Sequence, residues 1–500
     1  MPRTKYSDDE LRQALDERDG NASAVARDLS LNLRSLLRRL QRKNIIATAV
    51  VETTDDALPN TTTVDPSKQR YVITSVVNNS PLNVRFLAQL EEFTKENDAQ
   101  LLCVPQRYKN PSAMHTAEGC VWPEGLPYIS HDAVLSERVV LAGSAKPQAT
   151  SPRPISGYEG YGRGRSVVIG HSRIQLASVP RLLPDPAVFT LTTGSLSEAQ
   201  YSDTKMGSLG MFHHVNAALL IEVDRTNNRM WFRHLHFNKV GEKLLDPLKD
   251  IDTLVLGDLH VGHGKRTLDP LNWSAVNALS FDQVVVHDVI DGYSISHHHD
   301  NDPFLRMAKR RDNTDCLLTE LRSVSEALAP WLDRLKIVQS NHDEHIDRWL
   351  NSGKGHNDPV NMHLYHWLCL QKTEAIFYKS TVQTYTALQH YLETYGGFRL
   401  DNFVNRNTQF KVHGIELGQH GDRGANGSRK LNAKVRDKTI FGHRHTPSIE
   451  DGAMCVGTSS VLDLGYNKGY SGWAHVHAVI THSGSATLFN TEGGTACLTV

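Results

Sequence analysis

Five apolar runs in the C-terminal half of the chain each close on Asp, Asn or His. IDTLVLGDLH ends in Asp258 and His260, and FDQVVVHDVID in His287, Asp288 and Asp291. KIVQSNHD ends in Asn341, His342 and Asp343, KVHGIELGQH in His420, and KTIFGHRH in His443 and His445. Short apolar runs bounded by turn signals read as buried strands, and the carboxyl ends of parallel strands are where side chains converge on a ligand. One strand-end histidine is ordinarily structural. Five such ends in order constrain the chain to a fold that gathers them in one place. Asp258 and His260, two residues apart, can face the same side as the chain leaves its strand, offering a carboxylate and an imidazole to one metal ion. A total of 26 His in 500 residues agrees with a search for metal or proton-transfer chemistry.

Composition narrows the classes further. With 39% hydrophobic and 22% charged residues, wholesale disorder, collagen and coiled coil are excluded. Lys plus Arg 54 against Asp plus Glu 55 leaves a net charge of -1, so binding to a polyanion must rest on local charge. Cys103, Cys120, Cys316, Cys369, Cys455 and Cys497 form no CxxC pair, which points to a reducing compartment. The N-terminus has no apolar leader and no window is apolar enough to span a bilayer, so the expected location is cytoplasmic with no membrane partner.

Residues 1–47 read as a small all-α unit. Ser7 with Glu10 forms a capping box for a helix that runs toward Gly20. Ala22, Val25, Ala26 and Leu29, then Leu33, Leu36, Leu37 and Leu40, give two further helices apolar faces. The last helix carries Arg34, Arg38, Arg39, Arg42 and Lys43 with no acidic residue. The pattern resembles the helix-turn-helix of Fis and resolvase-like DNA-binding proteins. That resemblance implies a recognition helix at about 33–43, with Arg34, Arg38 and Arg39 contacting DNA. A solvated basic face on an interaction helix is the plainer alternative. Residues 48–69 are polar and Pro-containing, a linker. Residues 70–248 open as strand, helix, strand from Tyr71 and continue as strands between Gly- and Pro-rich turns, an α/β region of unassigned role that is in part integrated with the catalytic core. Residues 249–500 hold the five strand ends.

Together these ends resemble the ordered signature DxH, GDxxD, GNHD, H and GHxH of the calcineurin-like metallophosphoesterase superfamily, over Asp258 to His445. The resemblance implies an α/β fold, a four-layer α/β/β/α sandwich. It also implies two divalent metal ions, Mn first among Mn, Fe, Zn, Ni and Mg, bridged by a carboxylate and a water or hydroxide. Asp258, His260 and His445 would bind the first ion, Asp288 would bridge, and Asn341, His420 and His443 would complete the second site. His342 would stand at the leaving-group oxygen, with Asp343 orienting it, and Asp291 would hold the ligand loop from behind. His287 and Ser340 depart from the family pattern, standing where it has Gly, so a different loop geometry is expected. His413 competes with His420 for the fourth motif, and His420 is preferred because it closes the preceding apolar run.

The resemblance implies a metal-dependent phosphoesterase and leaves its substrate open. The basic N-terminal helix favours DNA, and the nearest likenesses are SbcD-type nucleases and phage DNA-degradation phosphoesterases. Cationic loops bearing His297, His298, His299, Arg306, Lys309, Arg310 and Arg311, then Arg399, Asn402 and Asn405, then Arg423, Arg429, Lys430 and Lys434, are expected on the metal side, where they track a phosphodiester backbone or are simply solvated. The leading expectation is a DNA nuclease. The alternatives are a phosphatase or phosphodiesterase acting on a phosphoprotein or small molecule, and a non-catalytic DNA-binding regulator.

Overall fold

Strand Ile251–Val255 pairs in parallel with Gln283–His287, which pairs in parallel with Leu335–Val338, and that strand with Phe403–Val404. The antiparallel hairpin Val476–Thr481 and Ala486–Asn490 completes a six-stranded sheet on the other side of Ile251–Val255. Because these parallel strands share one direction, the turns carrying Asp258, Asp288 and Asn341 all leave the same edge. This computed structural model describes residues 6–17, 25, 29, 36, 58–108, 121–238, 240–263, 268–299, 301–378, 386–406, 408–422, 438–465 and 467–498.

The near-continuous apolar runs are explained by burial on both sheet faces. Alternate residues Leu254, Leu256, Val284, Val286 and Ile337 pack against helices Leu317–Leu328, His345–Ser352, Met362–Tyr378 and Ala387–Tyr395. Their neighbours Val255, Val285 and Val338 face a second core shared with two other sheets. Each such aliphatic side chain contributes roughly 1.5–3 kcal/mol when fully buried.

The second sheet has ten strands, running from Lys411–Val412 through Ile415–Glu416, Thr439–Phe441, Ala453–Cys455 and Ser448–Glu450 to Leu176–Val179, and ending at Asp132–Ser136. Its two halves lie on opposite sides of residue 248 in sequence and join where Ser448 and Ile449 pair with Ala177 and Leu176. The 70–248 region is therefore integrated with the C-terminal core. The third sheet, of five strands, contains the expected opening unit: Arg70–Val77 and Ala99–Gln106 pair in parallel around helix Val84–Glu96. Phe86 and Leu90 of that helix cover Val72, Cys103 and Leu220. The molecule is thus mixed α/β with several mixed sheets.

At the N-terminus the capping box is present, with Ser7 Oγ accepting from Glu10 N–H and the Glu10 carboxylate from Ser7 N–H, and the helix spans Asp8–Asp16. Val25 and Leu36, two positions of the expected apolar faces, are helical and buried. Arg34, Arg38 and Arg39 lie outside the described residues, as do Arg423, Arg429, Lys430 and Lys434. Among the described residues no helix is long and apolar enough to cross a membrane.

One buried ion network braces the five-stranded sheet. Arg233 donates from Nε and Nη2 to the two Asp246 carboxylate oxygens at 2.8 and 2.9 Å and from Nη1 to Glu222 at 2.5 Å, while Arg70 Nε reaches the other Glu222 oxygen at 2.9 Å. Burial would raise the Asp246 carboxyl, but Arg233 overrides it and holds the group low. Removing Arg233 strands the buried Asp246 carboxylate and leaves Glu222 to Arg70 alone, so Arg233→Leu should lower unfolding stability by about 3–5 kcal/mol. Denaturant unfolding measures this, and a loss below about 1 kcal/mol would mean that the network is not a stabilising element.

Candidate metal centre

The five strand ends converge. Asp258, His260, Asp288 and His445 form one buried group with a ligand atom each inside a common 4.8 Å sphere of distances, and Asp288, His420 and His443 form a second. Asp288 belongs to both. In the first group His445 Nε2 lies 3.0 Å from Asp258 Oδ2 and 2.9 Å from His260 Nε2, which is 3.6 Å from Asp288 Oδ2. In the second, His420 Nε2 lies 3.2 Å from Asp288 Oδ2, and Asn341 Oδ1 stands 3.0 Å from His420 Nε2 and 3.1 Å from His443 Nδ1. The seven residues expected as ligands are brought together. His413 is not among them: it is half-exposed and pairs with Asp252.

The backbone is bent to achieve this. His260, Asp288, His443 and His445 have φ of 50, 43, 74 and 54°, in the left-handed region that costs a non-glycine residue energy and persists only where surrounding structure enforces it. Here lies the outcome of the two departures from glycine. The strand continues through His287, whose ring is buried, and the turn is made at Asp288 itself. Ser340 replaces a glycine turn with hydrogen bonds, its N–H donating to Asp343 Oδ2 and its Oγ accepting from Asp343 N–H, both at 3.2 Å. Where space is short, glycine remains: a Cβ on Gly442 would stand 2.1 Å from Asp258 Oδ1.

Electrostatically the cluster is a set of acceptors in need of a cation. Asp258, Asp288 and Asp291 are all buried, and ionised carboxylates out of water require strong compensation. Asp258 Oδ1 and the Nδ1 atoms of His260, His420 and His445 are buried without a hydrogen-bond partner among the described residues. Burial lowers His420, but the Asp288 carboxylate overrides it and holds the imidazole at about 9. Asp288 is in turn held well below the carboxylate range, because His420 outweighs its burial. A buried Asp and His donor set of this composition fits a divalent metal such as Mn, Fe or Zn, and the cluster can hold a metal ion.

His342 adjoins the centre, its ring centroid 4.4 Å from that of His260. Its Nδ1–H donates to the Asp291 carbonyl at 3.0 Å, fixing the ring, and burial pushes the imidazole down to about 4. Asp291 also reaches back to His260, its Oδ1 3.6 Å from Nδ1, and with His260 and His342 it forms a third group that could hold a metal ion. Asp343 takes a different role from the one expected. Its hydrogen bonds come from the Val289 and Ser340 backbone N–H groups, so it clamps the Asp288 turn rather than orienting the His342 ring. Burial pushes its carboxyl up to about 7.

Two bracing residues escaped the sequence reading. Glu320 accepts hydrogen bonds from Tyr293 N–H and from Ser294 N–H and Oγ–H, holding the segment just past Asp291. Its signal was a lone carboxylate within the buried stripe Leu317, Leu321, Val324 and Leu328. Arg406 bridges Glu344 at 2.5 Å and Asp422 at 2.7 Å, tying the turn after His342 to the turn after His420. No local pattern marks it.

The expected cationic track is largely consumed by local pairing. Lys309 is buried and donates to the Tyr293 carbonyl, Arg310 pairs with Asp315, Arg311 with Asp312, and Arg399 with Asp333 and Asp401. Asn402 is buried and donates to the Leu332 and Leu335 carbonyls, while His297, His298 and His299 form a short 3-10 turn.

The chain is 28% identical over 465 residues to Protein A1 of Escherichia phage T5, a match covering 85% of this chain and 82% of that protein. No protein-family model and no solved structure matches it.

Two outcomes follow from the geometry. Gly442→Ala drives a methyl group into Asp258 and should weaken divalent-metal binding about 10- to 100-fold, as displacement of a ligand's support does. Calorimetric titration with Mn measures it, and an unchanged affinity would remove Asp258 from the ligand set. Burial pushes Glu320 from 4.5 up to about 8. The folded state therefore holds this proton longer than the unfolded one, and stability falls as pH rises through that window. Glu320→Gln should flatten that fall in thermal melts, and parallel curves for parent and variant would refute the assignment.

Proposed function

We propose that the protein is a dinuclear-metal-dependent phosphodiesterase of the calcineurin-like type that hydrolyses the DNA backbone. The observation that carries this reading is the convergence of Asp258, His260 and His445 on one side of Asp288, and of Asn341, His420 and His443 on the other. A carboxylate shared by two ligand groups supports a pair of ions. The six-stranded and ten-stranded sheets sharing a core, with helices on the outer face of the former, support the four-layer sandwich.

When bound, a metal pair polarises the phosphoryl group and lowers the pKa of an attacking water. The chain's own residues do the rest. Asp288 fixes the separation of the two ligand groups. His342 is held by the Asp291 carbonyl through Nδ1, which leaves Nε2 as the nitrogen for proton transfer. An anionic phosphodiester beside that ring offsets the burial that keeps it neutral, so Nε2 acquires a proton to give to the departing alkoxide. Asp343 and Arg406 keep the His342 turn in register with Asp288 and His420. The basic helix bearing Arg34, Arg38 and Arg39 supports DNA as the substrate, and the phage origin of the relative supports action in the host cytoplasm.

Purified protein with Mn, assayed on duplex DNA, single-stranded DNA, RNA and a phosphate monoester, tests the reading. DNA should be cleaved fastest, with Asp288→Asn and His342→Ala each losing about 10²- to 10⁴-fold in rate. Faster monoester hydrolysis would overturn it in favour of a phosphatase.

A further inference from the structure

A cavity of about 530 Å³ opens between helices Leu317–Leu328, Met362–Tyr378 and Ala387–Tyr395, apart from the metal ligands. One wall is aromatic: the Trp367 and Tyr395 ring centroids are 5.2 Å apart with planes inclined at 49°, and those of Tyr391 and Tyr395 are 5.2 Å apart at 47°, so the rings pack on one another and Tyr395 offers the open face. The facing helix contributes Arg322, Ser325 and Glu326, which lie on one side at helical spacing. Arg322, exposed at the rim, hydrogen-bonds the Tyr391 hydroxyl. Tyr395 is 61% exposed. Helix Leu317–Leu328 also carries Glu320, which holds Tyr293 and Ser294 beside the Asp291 turn, so the cavity and the metal centre are braced by the same helix.

An aliphatic ligand would not call for this lining. Flat aromatic side chains stack on any planar heteroaromatic ring, an exposed guanidinium at the rim suits a phosphate, and a carboxylate with a hydroxyl can meet a polar ring edge. The volume falls in the range of small-molecule sites and accommodates one nucleotide.

We propose that this cavity binds one unstacked nucleotide of a single-stranded stretch of the substrate, its base on the open face of Tyr395 with its edge toward Trp367, and its phosphate at Arg322. The proposal rests on the nucleic-acid reading of the metal centre and deepens it, since it makes single-stranded or frayed DNA the form the protein holds. Duplex bases would have to unstack to enter.

The test separates binding from turnover. Fluorescence anisotropy of a short labelled single-stranded deoxyoligonucleotide is measured with the full chain in EDTA. The parent should bind, and Tyr395→Ala and Arg322→Ala, both at exposed positions, should each weaken binding about tenfold with unchanged melting temperature, within the range for loss of one stacked base. Trp367→Phe should abolish the part of the intrinsic fluorescence quench that the strand produces. Unlabelled dAMP should displace the strand at concentrations where inorganic phosphate does not. Equal affinity in parent and both variants overturns the site, as does a parent that binds no strand. Hydrolysis of bis(p-nitrophenyl) phosphate with Mn is scored separately. If it is present while the variants bind like the parent, the cavity assignment alone fails, and if it is absent the phosphodiesterase reading fails.

Discussion

Three carboxylates, Asp258, Asp288 and Asp291, are buried among imidazoles where two sheets meet, and much of the neighbouring architecture serves that arrangement. Charged groups cannot be taken from water without return. The return here comes from histidines held within about hydrogen-bonding distance and from a donor set shaped for a cation. The surrounding detail follows: left-handed backbone at four of the ligand positions, a glycine where Asp258 needs room, and backbone N–H groups aimed at Asp343.

How much of this was legible in the sequence depended on whether the chemistry left a local mark. The seven residues that converge did, because each is an Asp, Asn or His that closes an apolar run. The preference for His420 over His413 was legible for the same reason, since only His420 closes the run. Arg406 left none: its partners Glu344 and Asp422 are brought to it by the fold. The reading of Asp343 went astray because adjacency to His342 suggests contact, whereas the turn directs neighbouring side chains apart. Of the cationic loops, Arg310 and Arg311 pair with acids within a few residues, a short-range pairing available before any ligand arrives.

The region before residue 249 shows a second kind of illegibility. Its strands were recognisable one by one from composition and turns, but the pairing of Leu176 with Ile449 joins segments far apart in the chain. Strand pairing of that range has no periodicity in the sequence to betray it. Its consequence is that the supposed middle domain is half of the sheet from which His420, His443 and His445 emerge.

That division of labour has a mechanical meaning. Asp258, His260, Asp288 and Asn341 leave the six-stranded sheet, while His420, His443 and His445 leave the ten-stranded one. A cation gripped by both groups would act as a rivet through two plates, and the ion pairs of Arg406 with Glu344 and Asp422 are a second, non-covalent fastener beside it. Sliding of one sheet over the other would shear such a ligand shell together with the core that the two sheets share. The register between the sheets is thus held both in the shared core and at the cluster, and the affinity for a cation there would gauge how squarely the two halves of the molecule are seated.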